Sequence, residues 1–149
     1  ERARHWVDIG TGGGLPGLVA AIARRDSLSR CVLVESDARK CAFLRAAVRE
    51  LGLKVDVRAE RVERSGFDTP DVLSARALAP LDGLLDLTAA HHASGCTFLF
   101  MKGRNWRDEV ALAQRRYRFS LETRPSVTDT GSAILLISNI ERLPNGRDA

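Results

Sequence analysis

Four of the five positions after Ile9 are glycine (Gly10, Gly12, Gly13 and Gly14, around Thr11), and Gly17 follows Leu15 and Pro16. Glycine adopts positive φ and has no Cβ to hold a ligand away, so such a loop brings backbone N–H donors close to polar groups. Asp8 stands two positions before the first glycine, and Glu35 lies 25 residues beyond it. That is roughly the separation at which an acid meets ribose hydroxyls when a strand, a glycine turn, a helix and a second strand follow in order. A carboxylate there accepts from the 2′- and 3′-hydroxyls together. The chemistry on offer is recognition of a nucleoside with further polar groups attached. A plain strand-to-helix turn does not call for so many glycines, because each one costs conformational entropy.

The spacing fits two fingerprints. Gly12, Gly14 and Gly17 satisfy GxGxxG, the dinucleotide pattern. Asp8, Gly10 and Gly12 satisfy D-x-G-x-G, the arrangement of methyltransferases that bind S-adenosylmethionine (SAM). Asp8 tips the balance: a carboxylate at the end of the first strand suits the ammonium of a methionine moiety and repels a pyrophosphate.

The elements that must hold these residues follow from periodicity. His5–Ile9 reads as a strand and Leu15–Arg25 as a helix, with Pro16 in its first turn where a missing N–H costs nothing. Arg30–Glu35 is a second strand. Ser36 is the expected cap of a helix over Asp37–Leu51, with Cys41, Leu44, Val48 and Leu51 on one face and Gly52 ending it. Lys54–Ala59 and Asp71–Ala75 are strands three and four, and a helix follows Pro80 to about His91. The apolar run Cys96–Met101 reads as a strand buried on both faces. After a helix over Trp106–Arg116, the runs Tyr117–Thr123 and Ala133–Ile140 have no helix between them and pair as an antiparallel hairpin. Alternation of this kind predicts an α/β fold with a mostly parallel sheet, helices on both faces and an antiparallel hairpin at one edge.

Composition excludes other classes. The 149 residues suit one domain, with 44% hydrophobic and 28% charged residues. The expected tail runs from Pro144 to Ala149. No apolar run approaches the ~18–20 residues that span a bilayer, and no signal-peptide pattern opens the chain, so a cytoplasmic location is expected. Cys31, Cys41 and Cys96 make no CxxC pair and leave an odd thiol, against both a disulfide framework and a zinc site. The net charge is +4, nearly all from arginine, with lysine only at positions 40, 54 and 102. That balance fits an anionic partner such as nucleic acid as well as it fits a solvated surface.

Asp8-Ile-Gly-Thr-Gly-Gly-Gly-Leu-Pro-Gly17, Val34-Glu-Ser-Asp-Ala-Arg-Lys-Cys-Ala-Phe-Leu-Arg45, Ser74-Ala-Arg-Ala77 and Met101-Lys-Gly103 together resemble the RsmG (GidB) family of bacterial small-subunit rRNA methyltransferases. The motifs occur in order over nearly the whole chain. The resemblance implies a seven-stranded class I SAM-dependent (Rossmann-like) fold and methyl transfer to guanine N7 in the 530 loop of 16S rRNA. It places Gly10 and Leu15, with Gly12 and Gly14 of the same loop, along the methionine and adenosine part of the cofactor, Glu35 at the ribose, and Val62 and Glu63 at the adenine. Arg76 falls near cofactor and substrate, and Lys102 at the Lys-Gly after the fifth strand. Family members carry a further helical segment before the first strand. The expected partner is 16S rRNA or the small subunit, with no metal and no membrane, the chain acting as a monomer. Two other readings stand beside this one: a SAM enzyme acting on a small molecule or protein, and a non-catalytic dinucleotide-binding module.

Guanine N7 already carries an in-plane lone pair, so its methylation needs alignment and desolvation and no general base. The purine gains positive charge as it reacts, so Arg76 and Lys102 suit anchoring of phosphate or of guanine O6 better than direct catalysis. Other candidates have plainer readings: His91 and His92 as capping or surface groups, Trp106 as core packing ahead of base stacking, and Cys41 as packing. The cluster Arg115, Arg116 and Arg118 suits either rRNA phosphates or a solvated helix end.

Overall fold

The apolar runs become strands at nearly the expected positions. β1 (His5–Ile9) and β2 (Arg30–Glu35) match the expected bounds, and both are continuously buried after their first residue. The computed structural model describes residues 3–144; of the expected tail, residues 145–149 lie outside that range. Seven strands occur among the described residues.

The chain divides into two compact units, Glu1–Arg76 and Ala77–Ala149. The first holds β1, α1 (Gly17–Ala23), β2, α2 (Ala38–Glu50), β3 (Asp56–Ala59), a 3-10 turn at Val62–Arg64, and β4 (Val72–Arg76). Its strands run in the order β3-β2-β1-β4, every pair parallel. β2 and β1 lie inside that order, which is why near-continuous apolar sequence suits them. Val7, Ile9, Val32, Leu33, Val34, Leu44 and Leu73 form a core with no exposed surface.

The helix ends explain most differences from the expected bounds. α1 starts two residues late because Gly14, Leu15 and Pro16 form a turn, with a cis bond between Leu15 and Pro16. Asp37, not Ser36, caps α2: its Oδ1 accepts from the N–H groups of Arg39 at 2.8 Å and Lys40 at 3.3 Å. Ser36 is one residue too early to reach the donors of the first turn. At the other end Gly52 takes φ +61°, and the N–H of Leu53 returns to the Val48 carbonyl while that of Gly52 reaches Arg49. This paired closure is the Schellman arrangement.

The second unit holds α3 (Leu81–Leu87), a 3-10 segment at Ala89–Ser94, β5 (Thr97–Lys102), α4 (Trp106–Ala113), β6 (Tyr117–Pro125) and β7 (Ala133–Arg142). Its strand order is β5-β7-β6, with both pairs antiparallel. The expected hairpin is present, but β5 is not buried on both faces. Phe98, Phe100 and Lys102 are buried and the residues between them are half-buried. Antiparallel β7 carries the same alternation, and Phe98 faces Ile137, Phe100 faces Leu135 and Lys102 faces Ala133, so buried residues pair across one face.

Candidate functional site

In the first unit the glycine loop leaves the carboxyl end of β1, and Glu35 ends the neighbouring β2. The loop folds over that acid. Gly12 takes φ +57°, a conformation most side chains avoid, and its N–H donates to Glu35 Oε2 at 2.8 Å. The other carboxylate oxygen, Oε1, accepts from the N–H of Asp37 at 2.9 Å. Each carboxylate oxygen has two lone pairs, so both oxygens are oriented by the backbone and both keep capacity for a diol. A Cβ built on Gly12 or Gly13 would meet nothing within 4 Å. The loop therefore borders open space beside an oriented acid.

Asp8 is enclosed within β1. Its residue surface is 0% exposed. Oδ1 accepts from the Ser74 hydroxyl at 2.6 Å, and Oδ2 from the N–H of Gly17 at 3.0 Å. Ser74 in turn accepts from the Trp6 indole N–H at 2.8 Å. Burial pushes the Asp8 carboxyl above the usual carboxylate range, against the bonds from Ser74 and Gly17 and the field of Arg76. Direct contact with a ligand ammonium does not fit a fully buried group. Asp8 instead ties the start of α1 to β1 and β4. Gly17 permits this approach, since a Cβ there would lie 2.5 Å from the Asp8 Cβ and 2.4 Å from Leu33 Cδ2. Sequence reasoning missed the Trp6 and Ser74 partners. The signal was an acid inside an apolar strand, which needs donors, and the parallel register sets Ser74 opposite Asp8.

The other expected residues of this unit lie as follows. Gly10 and Gly14 take φ +62° and +94°, and Leu15 is 43% exposed at the loop's end. Val62, half-buried, and Glu63, exposed, lie in the 3-10 turn after β3. Arg76 is the last residue of β4 and is exposed. Cys41 is buried, as a packing residue should be; its thiol donates to the Glu35 carbonyl at 3.2 Å and burial raises its pKa.

Within the second unit Lys102 is enclosed at the end of β5. Its side chain is only 7% exposed, and Nζ lies 2.6 Å from both Glu109 Oε2 and the Ala79 carbonyl. Glu109 also accepts from the N–H of Leu81, so the pair joins the end of β5 to α4 and the start of α3. Lys102 so placed is a buried cation paired within the fold. Arg116 is likewise neither solvated nor free for RNA: its two terminal nitrogens donate to Asp86 at 2.8 and 3.0 Å. The Tyr117 hydroxyl bonds the same carboxylate, and burial, then Asp86, push its pKa up to about 12. Arg118 pairs with Glu141 at 3.5 Å, and Arg115 is exposed. His92 packs edge-on against Phe98 and Tyr117, and burial lowers its pKa. Trp106 is half-buried under the Arg107 guanidinium, 4.3 Å from the ring centre, so it is not a core residue. Among the described residues no group of three or more His, Cys, Asp or Glu is placed to hold a metal ion, and no helix is long and apolar enough to cross a membrane.

Solved structures share this architecture. A ribosomal protein L11 methylase from Lactobacillus delbrueckii subsp. bulgaricus matches with TM-score 0.66 and 17% identity over 95% of this chain and 70% of that one. A mutant of MtNAS in complex with S-adenosylmethionine matches with TM-score 0.65 and 19% identity over 93% of this chain and 55% of that one. With an acid closing the second strand over a glycine loop, the fold is that of the class I SAM-dependent methyltransferases. The family model for rRNA small subunit methyltransferase G (GidB) matches residues 1–135, and the chain belongs to that family. Ribosomal RNA small subunit methyltransferase G of Ruegeria sp. (strain TM1040) is 49% identical over 140 residues, 93% of this chain and 68% of the relative. That of Paracoccus denitrificans (strain Pd 1222) is 50% identical over 139 residues, 91% and 69% of the two chains. The chain spans about two thirds of the length of these relatives.

Proposed function

We propose that this chain forms the SAM-binding part of an enzyme that methylates guanine N7 in the 530 loop of 16S rRNA. The observation that carries the cofactor assignment is Glu35, whose two oxygens are oriented by the N–H groups of Gly12 and Asp37 and keep lone pairs for vicinal hydroxyls. The residues fit the cofactor: open space borders Gly12 and Gly13, and Leu15 supplies exposed apolar surface beside it. Bound SAM supplies an electrophilic methyl group.

In this reading Glu35 holds the ribose, the loop from Gly10 to Leu15 lines the methionine and adenosine, and Val62 and Glu63 border the adenine. Asp8 is a positioning residue: it holds the loop's exit through Gly17 and touches no ligand. Guanine N7 presents its lone pair without losing a proton, so no side chain has to act as a base. The work of the protein is alignment and exclusion of water. Arg76, exposed at the end of β4, is the anchor we assign to the substrate's phosphate or O6. Lys102 has no part in it.

Incubation of the protein with SAM and 16S rRNA, followed by mass mapping of nuclease fragments, should find one added methyl group on the 530-loop fragment. Methyl transfer to a small molecule or protein with none to rRNA rejects the substrate assignment. Thermal stabilisation by NAD and none by SAM rejects the cofactor assignment.

A further inference from the structure

Apart from Cys41, whose thiol bonds the Glu35 carbonyl, the Arg-Lys-Cys-Ala-Phe-Leu-Arg run has no role in the site described so far, yet it builds an unusual outer face on α2. The helix carries Arg39, Lys40, Arg45 and Arg49 against a single acid, Glu50, so its own net charge is +3 while the whole chain carries +4. Arg45 is engaged inward through the Val57 carbonyl. The Arg39 side chain is 95% exposed, its nearest acid being the capping Asp37 at 3.9 Å, and Lys40 is exposed. Cys41 and Leu44 face the core, which turns Arg39 and Phe43, four residues apart, to the opposite side.

Phe43 is 58% exposed. Its neighbours on the outer face are Ala42, Ala46 and Ala47, side chains too short to shield the ring. An aromatic ring open on one face and flanked by cations one turn away has the composition of a nucleic-acid platform, with bases stacking on the ring and phosphates meeting the cations. α1 provides the contrast. Leu15, Val19 and Ile22 are exposed at helical spacing along its outer side, but α1 itself contains no charged residue, and its cations, Arg24 and Arg25, come only after its last turn. The α2 face also begins next to the cofactor acid, since the N–H of Asp37, the helix cap, is one of the two that orient Glu35.

We propose that the outer face of α2 is an RNA-contact surface, in which Arg39 and Lys40 meet backbone phosphates and Phe43 stacks on an unpaired base. The proposal rests on rRNA being the substrate. The surface adds affinity and orientation to the rRNA without touching the methyl donor.

The experiment measures the affinity of the protein for a 16S rRNA fragment containing the 530 loop by fluorescence anisotropy over a range of salt. SAM affinity is measured in parallel by calorimetry. The R39E/K40E double variant should bind RNA at least ~10-fold more weakly at low salt, with a salt dependence shallower by about two counterions. F43S should lose roughly 5- to 100-fold at an unchanged salt slope, and F43Y should restore the loss. All variants should keep SAM affinity within about 2-fold of wild type and stay folded, because the three side chains are exposed. Unchanged RNA affinity and salt slope in every variant overturn the proposal while leaving the substrate intact. A wild-type protein that binds no RNA overturns the substrate reading and this surface with it. A wild-type dimer that F43S dissociates, with RNA affinity unaltered, assigns the face to a second copy and overturns the RNA role.

Discussion

Glu35 and Lys102 occupy equivalent places, each the last residue of a strand, each charged and each largely buried. They differ in what their partners leave over. The partners of Glu35 are two backbone N–H groups, one per oxygen, which orient the carboxylate and leave each oxygen a further lone pair. The partners of Lys102 include the opposite charge itself, Glu109, which neutralises it, and the Ala79 carbonyl. A charge held by neutral donors remains available to a ligand. A charge held by its counter-ion in a buried place is spent on the fold, because separating the pair would expose both to the cost of desolvation.

The sharpest break of this comparison is Glu35→Ala. It removes the acceptor of two backbone donors and of the ribose hydroxyls together, and SAM affinity should fall about 100-fold, roughly 3 kcal/mol, in a calorimetric titration. Retained affinity would place the ribose elsewhere. Lys102→Ala should act on the other quantity. Leaving Glu109 without its cation should cost about 3 kcal/mol in denaturant unfolding, while SAM affinity stays within about 2-fold of wild type. The K102M/E109Q double variant should recover much of that stability; if Lys102 anchors substrate instead, the recovered protein would still have lost rRNA affinity.

Smaller changes sharpen how Glu35 is held. Gly12→Ala has room for its methyl group but must keep φ near +57°, a strain of about 1 kcal/mol, so SAM affinity should drop several-fold with little loss of fold. Asp8→Asn tests the buried acid that orients without being offered. Burial raises the Asp8 pKa, so above about pH 4 the folded chain keeps a proton that the unfolded chain releases. The stability Asp8 contributes is therefore full below that pH and declines as pH rises through the raised folded value. Unfolding measured across pH should show wild type losing ground to Asp8→Asn as the pH rises from about 4. A parallel pH dependence in the two proteins would mean that Asp8 is not the group responsible.

Much of the scaffold was legible before any coordinates. The bounds of β1 and β2 follow from β-branched apolar runs closed by glycine and by acid, and Gly52 announced the end of α2, because these signals are local. The cap of α2 was misplaced by one residue, since Ser36 and Asp37 are both good caps and only the path of the chain past Glu35 selects between them. The glycine loop and Glu35 were legible as candidates for a cofactor site because residue type and separation along the chain point to that chemistry.

The amino-acid sequence alone determined the fold class and the family, which rest on alternation and motifs ordered along nearly the whole chain, and the pair formed by the loop and its acid, which rests on spacing within neighbouring elements. Which charges are free was decided only by tertiary structure. Asp8 is enclosed because the register brings Ser74 opposite it, and Gly17 lets the helix start close over it. Lys102 and Arg116 are taken up by Glu109 and Asp86, acids 7 and 30 residues away along the chain. Phe43 stands open while Cys41 and Leu44 beside it are buried, because packing gave the core only one face of α2. Availability depends on every group that reaches the same point in space, and a linear pattern of residue types contains only those that are near in sequence.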